Sequence, residues 1–189
     1  MNGSPRFKIA FIGSHGVGKT TLCYSLAARL KAADLSVEVV HEVARRCPLP
    51  INQETSVAAQ SWILHTQIAE EILAQARYPL VVCDRSVLDN YVYLLLAAGR
   101  QEGLEELVAS WTRTYDLLVE VPIVGEPRPD GMRSVDPSFQ RAVEERLERE
   151  IAERGLPALR LGSGSRDGWL DTVEQEALQR LRPAQLPLL

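Results

Sequence analysis

Eight consecutive residues, Gly13-Ser14-His15-Gly16-Val17-Gly18-Lys19-Thr20, constrain this chain more than any other segment. They fit the pattern G-x-x-x-x-G-K-[ST] in the context the pattern needs. A short apolar run, Arg6 to Ile12, precedes them, and a helical pattern, Gly18 to Ala33, follows. Glycines at 13, 16 and 18 permit conformations that a Cβ opposes, so successive backbone N–H groups can converge on phosphate oxygens. Lys19 would neutralise β- and γ-phosphates. Thr20 can offer its hydroxyl to Mg²⁺, and the helix start adds the positive end of its dipole. Ser14, His15, Val17 and Thr21 complete the segment expected to line a nucleoside triphosphate, with His15 simply lining the loop. The alternative is a glycine-rich turn with no ligand.

The rest of the chain alternates strand and helix patterns. Val37 to His41, Pro79 to Cys83, Asp116 to Val121 and Leu156 to Leu161 are further short apolar runs. Between them, helices are predicted over Gln53 to Arg77, Ser86 to Ala98, Glu102 to Thr112, from Asp136-Pro137 through Ile151, and over Asp167 to Leu181. Five short strands separated by helices imply an α/β fold, a parallel sheet with helices on both faces. A chain of 189 residues with 46% hydrophobic content suits one domain, residues 1–189, with its core over about 6–181 and a tail at 182–189. Residues 122–136, rich in Pro, Gly and Arg and without periodicity, read as a loop able to act as a lid.

In such sheets ligands sit at the carboxyl ends of the strands. The third strand ends in Cys83-Asp84-Arg85-Ser86. There Asp84 can hold Mg²⁺ with Thr20 or accept a hydroxyl proton, and Arg85 can neutralise developing charge. The bland alternative has Asp84 capping the next helix and pairing with Arg85. The second strand ends in His41-Glu42-Val43-Ala44-Arg45-Arg46, where Glu42 and Arg45 could orient a hydroxyl and grip a phosphate or ribose, the alternative being a solvated salt-bridge pair at a loop. After the fourth strand come Arg128, Asp130 and Arg133, then Arg141 and Arg146 on a helix. Arg133 is read as a lid arginine that stabilises the transferred group, and Arg146 as a solvated partner of Glu144, Glu145 or Glu148. Trp62 is read as a core residue, with base stacking as the alternative. Tyr91 and Tyr93 are read as packing residues, Trp111 and Trp169 as structural, and Asp89 as solvated, with reach to the acceptor as the alternative.

Composition narrows the classes. A net charge of −4 excludes a globally basic surface of the kind that grips duplex nucleic acid. The longest apolar stretch, Tyr91 to Ala98, is far short of a membrane span, so no membrane partner is expected. Cys23, Cys47 and Cys83 form no Cys-x-x-Cys pair and read as free thiols in a reducing cytoplasm. Neither a guanine-specifying Asn-Lys-x-Asp nor a motor-type Asp-Glu strand end is present, which favours transfer to a bound acceptor over a switch or a motor.

The order GSHGVGKT, HEVARR, VVCDRS, PRPDGMRS and LGSGS resembles the small P-loop kinases of the AAA-domain group, including the kinase part of nicotinamide riboside kinases. The likeness covers Phe7 to about Leu181. It implies a P-loop three-layer sandwich with strand order 2-3-1-4-5, an acceptor site lined by Glu42 and Arg45, Asp84-Arg85 as the Asp-Arg pair of the third strand, and Asp130 with Arg133 in the lid. It also implies that residues 162–165 flank adenine. The Glu-x-x-Arg beginning at Glu42 resembles the Asp-x-x-Arg of 5′-hydroxyl polynucleotide kinases as well.

The expected function is therefore ATP- and Mg²⁺-dependent transfer of the γ-phosphate to a small nucleoside- or nucleotide-like acceptor. Lys19, Asp84, Glu42, Arg85 and Arg133 would form the catalytic set, with either Glu42 or Asp84 as base. The alternatives are phosphorylation of a 5′-hydroxyl nucleic acid end, and an NTPase or nucleotide switch with no acceptor.

Overall fold

The computed structural model describes residues 6–125 and 136–181. The expected tail, 182–189, and the lid residues Arg128, Asp130 and Arg133 lie outside the described residues. Five strands, β1 (Phe7–Ile12), β2 (Val37–Val40), β3 (Leu80–Asp84), β4 (Leu117–Glu120) and β5 (Ala158–Arg160), form one parallel sheet in the order β2-β3-β1-β4-β5. The crossovers are α1 (Lys19–Ala32), α2 (Val57–Arg77), α3 (Val87–Ala98), α4 (Glu102–Thr112) and α5 (Pro137–Glu153), and α6 (Trp169–Leu181) closes the chain.

Burial explains why the central strands read as unbroken apolar runs. β1, β3 and β4 are buried at every position, because helices cover both faces of the sheet. The two-residue period of β1 still divides the core. Ile9 and Phe11 pack with α1 and α6, whereas Ala10 and Ile12 pack with α3 and α5. The edge strands β2 and β5 are only partly buried.

Element ends follow local chemistry. Ser56 Oγ accepts from Ala59 N, so α2 begins at Val57 rather than Gln53, which lies in a short 3₁₀ turn, Asn52–Glu54. Asp136 caps α5 with Pro137 in its first turn, as predicted. β5 is three residues long, shorter than the apolar run that predicted it.

Beneath the amino end of the sheet, Lys8 Nζ donates to Glu71 Oε2 at 2.8 Å and to Thr114 Oγ1 at 2.6 Å. Glu71 also accepts from Trp111 Nε1, Tyr115 Oη and Gln67 Nε2. Both ionic side chains are fully buried, and the network ties β1 to α2 and α4. Such a pair holds only while both charges and all their hydrogen bonds are present.

Candidate active site

The loop after β1 has the shape of an anion cradle. A Cβ on Gly13 would lie 2.5 Å from Val121 O, so only glycine fits against β4's exit. Gly16 and Gly18 take φ of 76° and 104°, and Gly18 sits at the N-cap of α1. Helix α5 holds the loop from the far side. Ser14 Oγ donates to Gln140 O at 2.9 Å, and Gln140 Nε2 donates to His15 O at 2.7 Å.

His15 does more than line this loop. It is buried, its Nδ1 lies 3.2 Å from Tyr93 Oη, and its ring packs against those of Tyr93 and Phe139. Tyr93 is accordingly part of the site and not merely a packing residue. Tyr91 has a structural role, its hydroxyl donating to Glu105 at 2.7 Å.

Lys19 points back into its own loop, where Nζ donates to Gly13 O at 2.9 Å and Ser14 O at 2.5 Å. Burial, and after it the charge of Arg85, lowers the ammonium to about 7. A phosphate would reverse this balance by replacing carbonyl dipoles with full negative charge.

Register sets the next two residues. Phe11 of β1 pairs with Asp84 of β3, so the Asp84 carboxylate reaches the start of α1. There Thr20 Oγ1 donates to Asp84 Oδ2 at 2.7 Å. Asp84 Oδ1 is buried and has no hydrogen-bond partner among the described residues. A buried carboxylate oxygen with nothing to bind, beside a threonine hydroxyl, fits a hard cation. No group of three or more His, Cys, Asp or Glu that could hold a metal ion is found among the described residues. The alternative role of Asp84 is excluded, because Ser86 and Asp89 form the capping box of α3.

Arg85 adopts φ of 97°, a strained conformation for a side chain with a Cβ, and one that costs on the order of 1–3 kcal/mol. Its neighbours hold it there. Nε donates to Glu42 Oε1 at 2.6 Å and Nη1 to Asp89 Oδ2 at 3.1 Å, while the guanidinium lies 5.3 Å from the centre of the Tyr93 ring. Arg45 Nε takes the other Glu42 oxygen at 2.7 Å. Burial opposes the charge of Arg85, but Glu42, with further help from Asp89, keeps it firmly protonated. Asp89 itself is pushed up by burial, against the pull of Arg85 and Lys19. The solvated position expected for Asp89 is thus overturned; it is fully buried in the centre of the cluster.

This cluster floors a pocket lined by His15, Glu42, Arg45, Gln60, Asn90 and Tyr93, with Ala44, Ile51 and Ile63 as apolar wall. The pocket is partly open to solvent. Trp62 is half-buried and outside this lining, and His65 is exposed with Nδ1 on Ser61 O. Trp169 is structural, donating to Gly162 O, and Trp111 belongs to the Lys8 network. Arg146 pairs with Glu150, one turn on along α5, and Glu144 accepts from Ile123 N.

Sequence reasoning therefore missed Gln60, Asn90, Tyr93, Gln140 and Asp89. Only Asp89 had a readable signal, the Ser-x-x-Asp of a capping box at Ser86. No helix among the described residues is long and apolar enough to cross a membrane.

A family model described as AAA domain matches residues 8–167. Among solved structures, the chain is similar to a NadR protein in complex with NR, with a TM-score of 0.75 and 21% identity. The match covers 96% of this chain and 54% of that one, so this chain spans about half its length. It is also similar to thymidylate kinase from Ehrlichia chaffeensis, with a TM-score of 0.64, 14% identity, and coverage of 94% and 100%. A third likeness is to deoxyadenosine kinase from M. mycoides with bound dATP, with a TM-score of 0.64, 13% identity, and coverage of 92% and 100%. No curated protein matches. These likenesses place the chain in the fold of small P-loop kinases, as the resemblance of its motifs implied.

Proposed function

The chain belongs to the AAA domain family, and from that premise we propose that it transfers the γ-phosphate of ATP, with Mg²⁺, to a hydroxyl or phosphate of a small nucleoside- or nucleotide-like acceptor. The observation that carries this reading is the pocket beside the loop. Its lining sets a few convergent polar groups against an apolar wall, as small-molecule sites do, and Glu42 and Arg85 at its floor lie close enough to the loop's lysine to act on its charge.

Loop amides and Lys19 would bind the triphosphate, with Lys19 exchanging Gly13 O and Ser14 O for phosphate oxygens. Thr20 and Asp84 would hold Mg²⁺, which supplies charge neutralisation of the phosphates when bound. Glu42, with each oxygen accepting from an arginine, would orient an acceptor hydroxyl and receive its proton. Arg85 would keep positive charge beside the group in transit, and Arg133 would add to it from the lid.

The neighbours' ligands support the reading by analogy, since NR occupies one and dATP another. The test is incubation with γ-labelled ATP and a panel of nucleosides, nucleotides and 5′-hydroxyl oligonucleotides. Label should appear on a nucleoside or nucleotide. Label released only as free phosphate, at a rate that no acceptor changes, would overturn the reading in favour of an NTPase.

A further inference from the structure

Two buried amides in the pocket have atoms with nothing to bond. Gln60, in the first turn of α2, is 4% exposed, and its Nε2 donates to Thr55 Oγ1 at 2.9 Å. Its Oε1 has no partner among the described residues. Asn90, in the first turn of α3, is 3% exposed, and its Nδ2 likewise has no partner there. Folded interiors rarely leave such atoms unpaired, because each has given up its hydrogen bonds to water for nothing. Here one orphan is an acceptor and the other a donor, and both residues line one pocket.

The remaining lining sharpens the fit. Ile51, Ile63, Ala44 and the Tyr93 ring form an apolar wall suited to a flat group. The carboxylates of Glu42 and Asp89 offset the guanidiniums of Arg45 and Arg85, so the floor's charges are largely matched among themselves and recognition of a flat group falls to the uncharged polar side chains.

We propose that Gln60 and Asn90 recognise an amide-type edge on the acceptor: a carbonyl next to an N–H on a planar group, as in a carboxamide or the lactam face of a nucleobase. Asn90 Nδ2 donates to the carbonyl and Gln60 Oε1 accepts from the N–H. An acceptor lacking that edge leaves both amides buried and unpaired, which is the strongest kind of discrimination that a small pocket achieves. The inference rests on the pocket being the acceptor site.

Binding calorimetry with protein loaded with Mg²⁺ and AMP-PNP tests it with matched pairs: uridine and N3-methyluridine, inosine and N1-methylinosine, nicotinamide riboside and nicotinic acid riboside. In at least one pair the intact edge should bind tenfold or more tighter than its blocked counterpart. Asn90→Leu and Gln60→Leu should each reduce that ratio below about threefold. Asn90→Leu should also melt at or above the wild-type temperature, because it removes an unsatisfied amide; a purely structural asparagine would give a lower one. Should the leucine variant fail to fold, Asn90→Asp keeps the shape and should also lose the preference, by repelling the carbonyl. No discrimination by the wild type, or a ratio unchanged in the variants, overturns the proposal. Discrimination without phosphate transfer would sink the kinase reading and leave this one standing, and transfer without discrimination would do the reverse.

Discussion

Arg85 donates Nε to Glu42 Oε1 at 2.6 Å from a backbone whose φ is 97°. The strained turn aims the guanidinium at two carboxylates, Glu42 after β2 and Asp89 on α3, so that three elements meet at one charge. Strain of this kind persists only where the surroundings over-determine it, and such places are commonly functional.

Removing that guanidinium would leave Glu42 and Asp89 buried without their shared counter-charge. Arg85→Ala should therefore cost about 3–5 kcal/mol in urea unfolding. Arg46→Ala, which breaks an exposed pair with Glu70, should cost less than about 1 kcal/mol. Equal losses would show that the cluster is not buried as described.

Gly13→Ala places a methyl 2.5 Å from Val121 O. Backbone on both sides must shift, so the variant should lose on the order of 2 kcal/mol or more of stability and at least tenfold in AMP-PNP affinity. Calorimetry and thermal melting check both, and an unchanged affinity would mean that the loop does not need this close approach.

The Lys19 ammonium is lowered from 10.5 to about 7, chiefly by burial. Between those values the unfolded chain carries a proton that the folded, ligand-free chain has released, so the lysine's contribution makes stability rise with pH across that window. A bound triphosphate restores the charge. Nucleotide binding at about pH 8.5 should then take up close to one proton, and affinity should fall as pH rises from 7 to 10. Calorimetry in buffers of different ionisation enthalpy measures the uptake, which Lys19→Met should abolish.

The Lys8–Glu71 pair lies beneath the opposite end of the sheet. Lys8→Met strands a fully buried carboxylate and should cost about 3–5 kcal/mol, whereas Lys8→Met with Glu71→Leu should recover much of that loss. Denaturant midpoints for both variants check this. A double variant no more stable than the single one would place the energy in the other partners of Glu71.

How much could be read from the sequence depended on whether the signal was local. The glycine loop, the strand ends at Glu42 and Asp84, and the Asp136-Pro137 helix start are each written in a few adjacent residues, and each stands where expected. The side chains that join elements were not legible in this way. Asp89 looks solvated in sequence because a charged residue in a helix usually is, and nothing local says that α3 is buried from Val87 through Leu95. Gln60 carries no local sign that it faces the pocket, since only the rotation of α2 decides whether it or its neighbour Trp62 does. Lys8 and Glu71 are 63 positions apart and meet only once β1 and α2 pack.

The central claim is that γ-phosphate leaves ATP for a molecule held beside Glu42. Phosphorus NMR of wild-type protein with Mg²⁺, ATP and the best-bound acceptor follows both fates of that group in one tube. The account predicts one new phosphoryl ester or anhydride for each ADP formed, and neither product with Lys19→Ala. Inorganic phosphate appearing in step with ADP, at a rate independent of the acceptor, would contradict it.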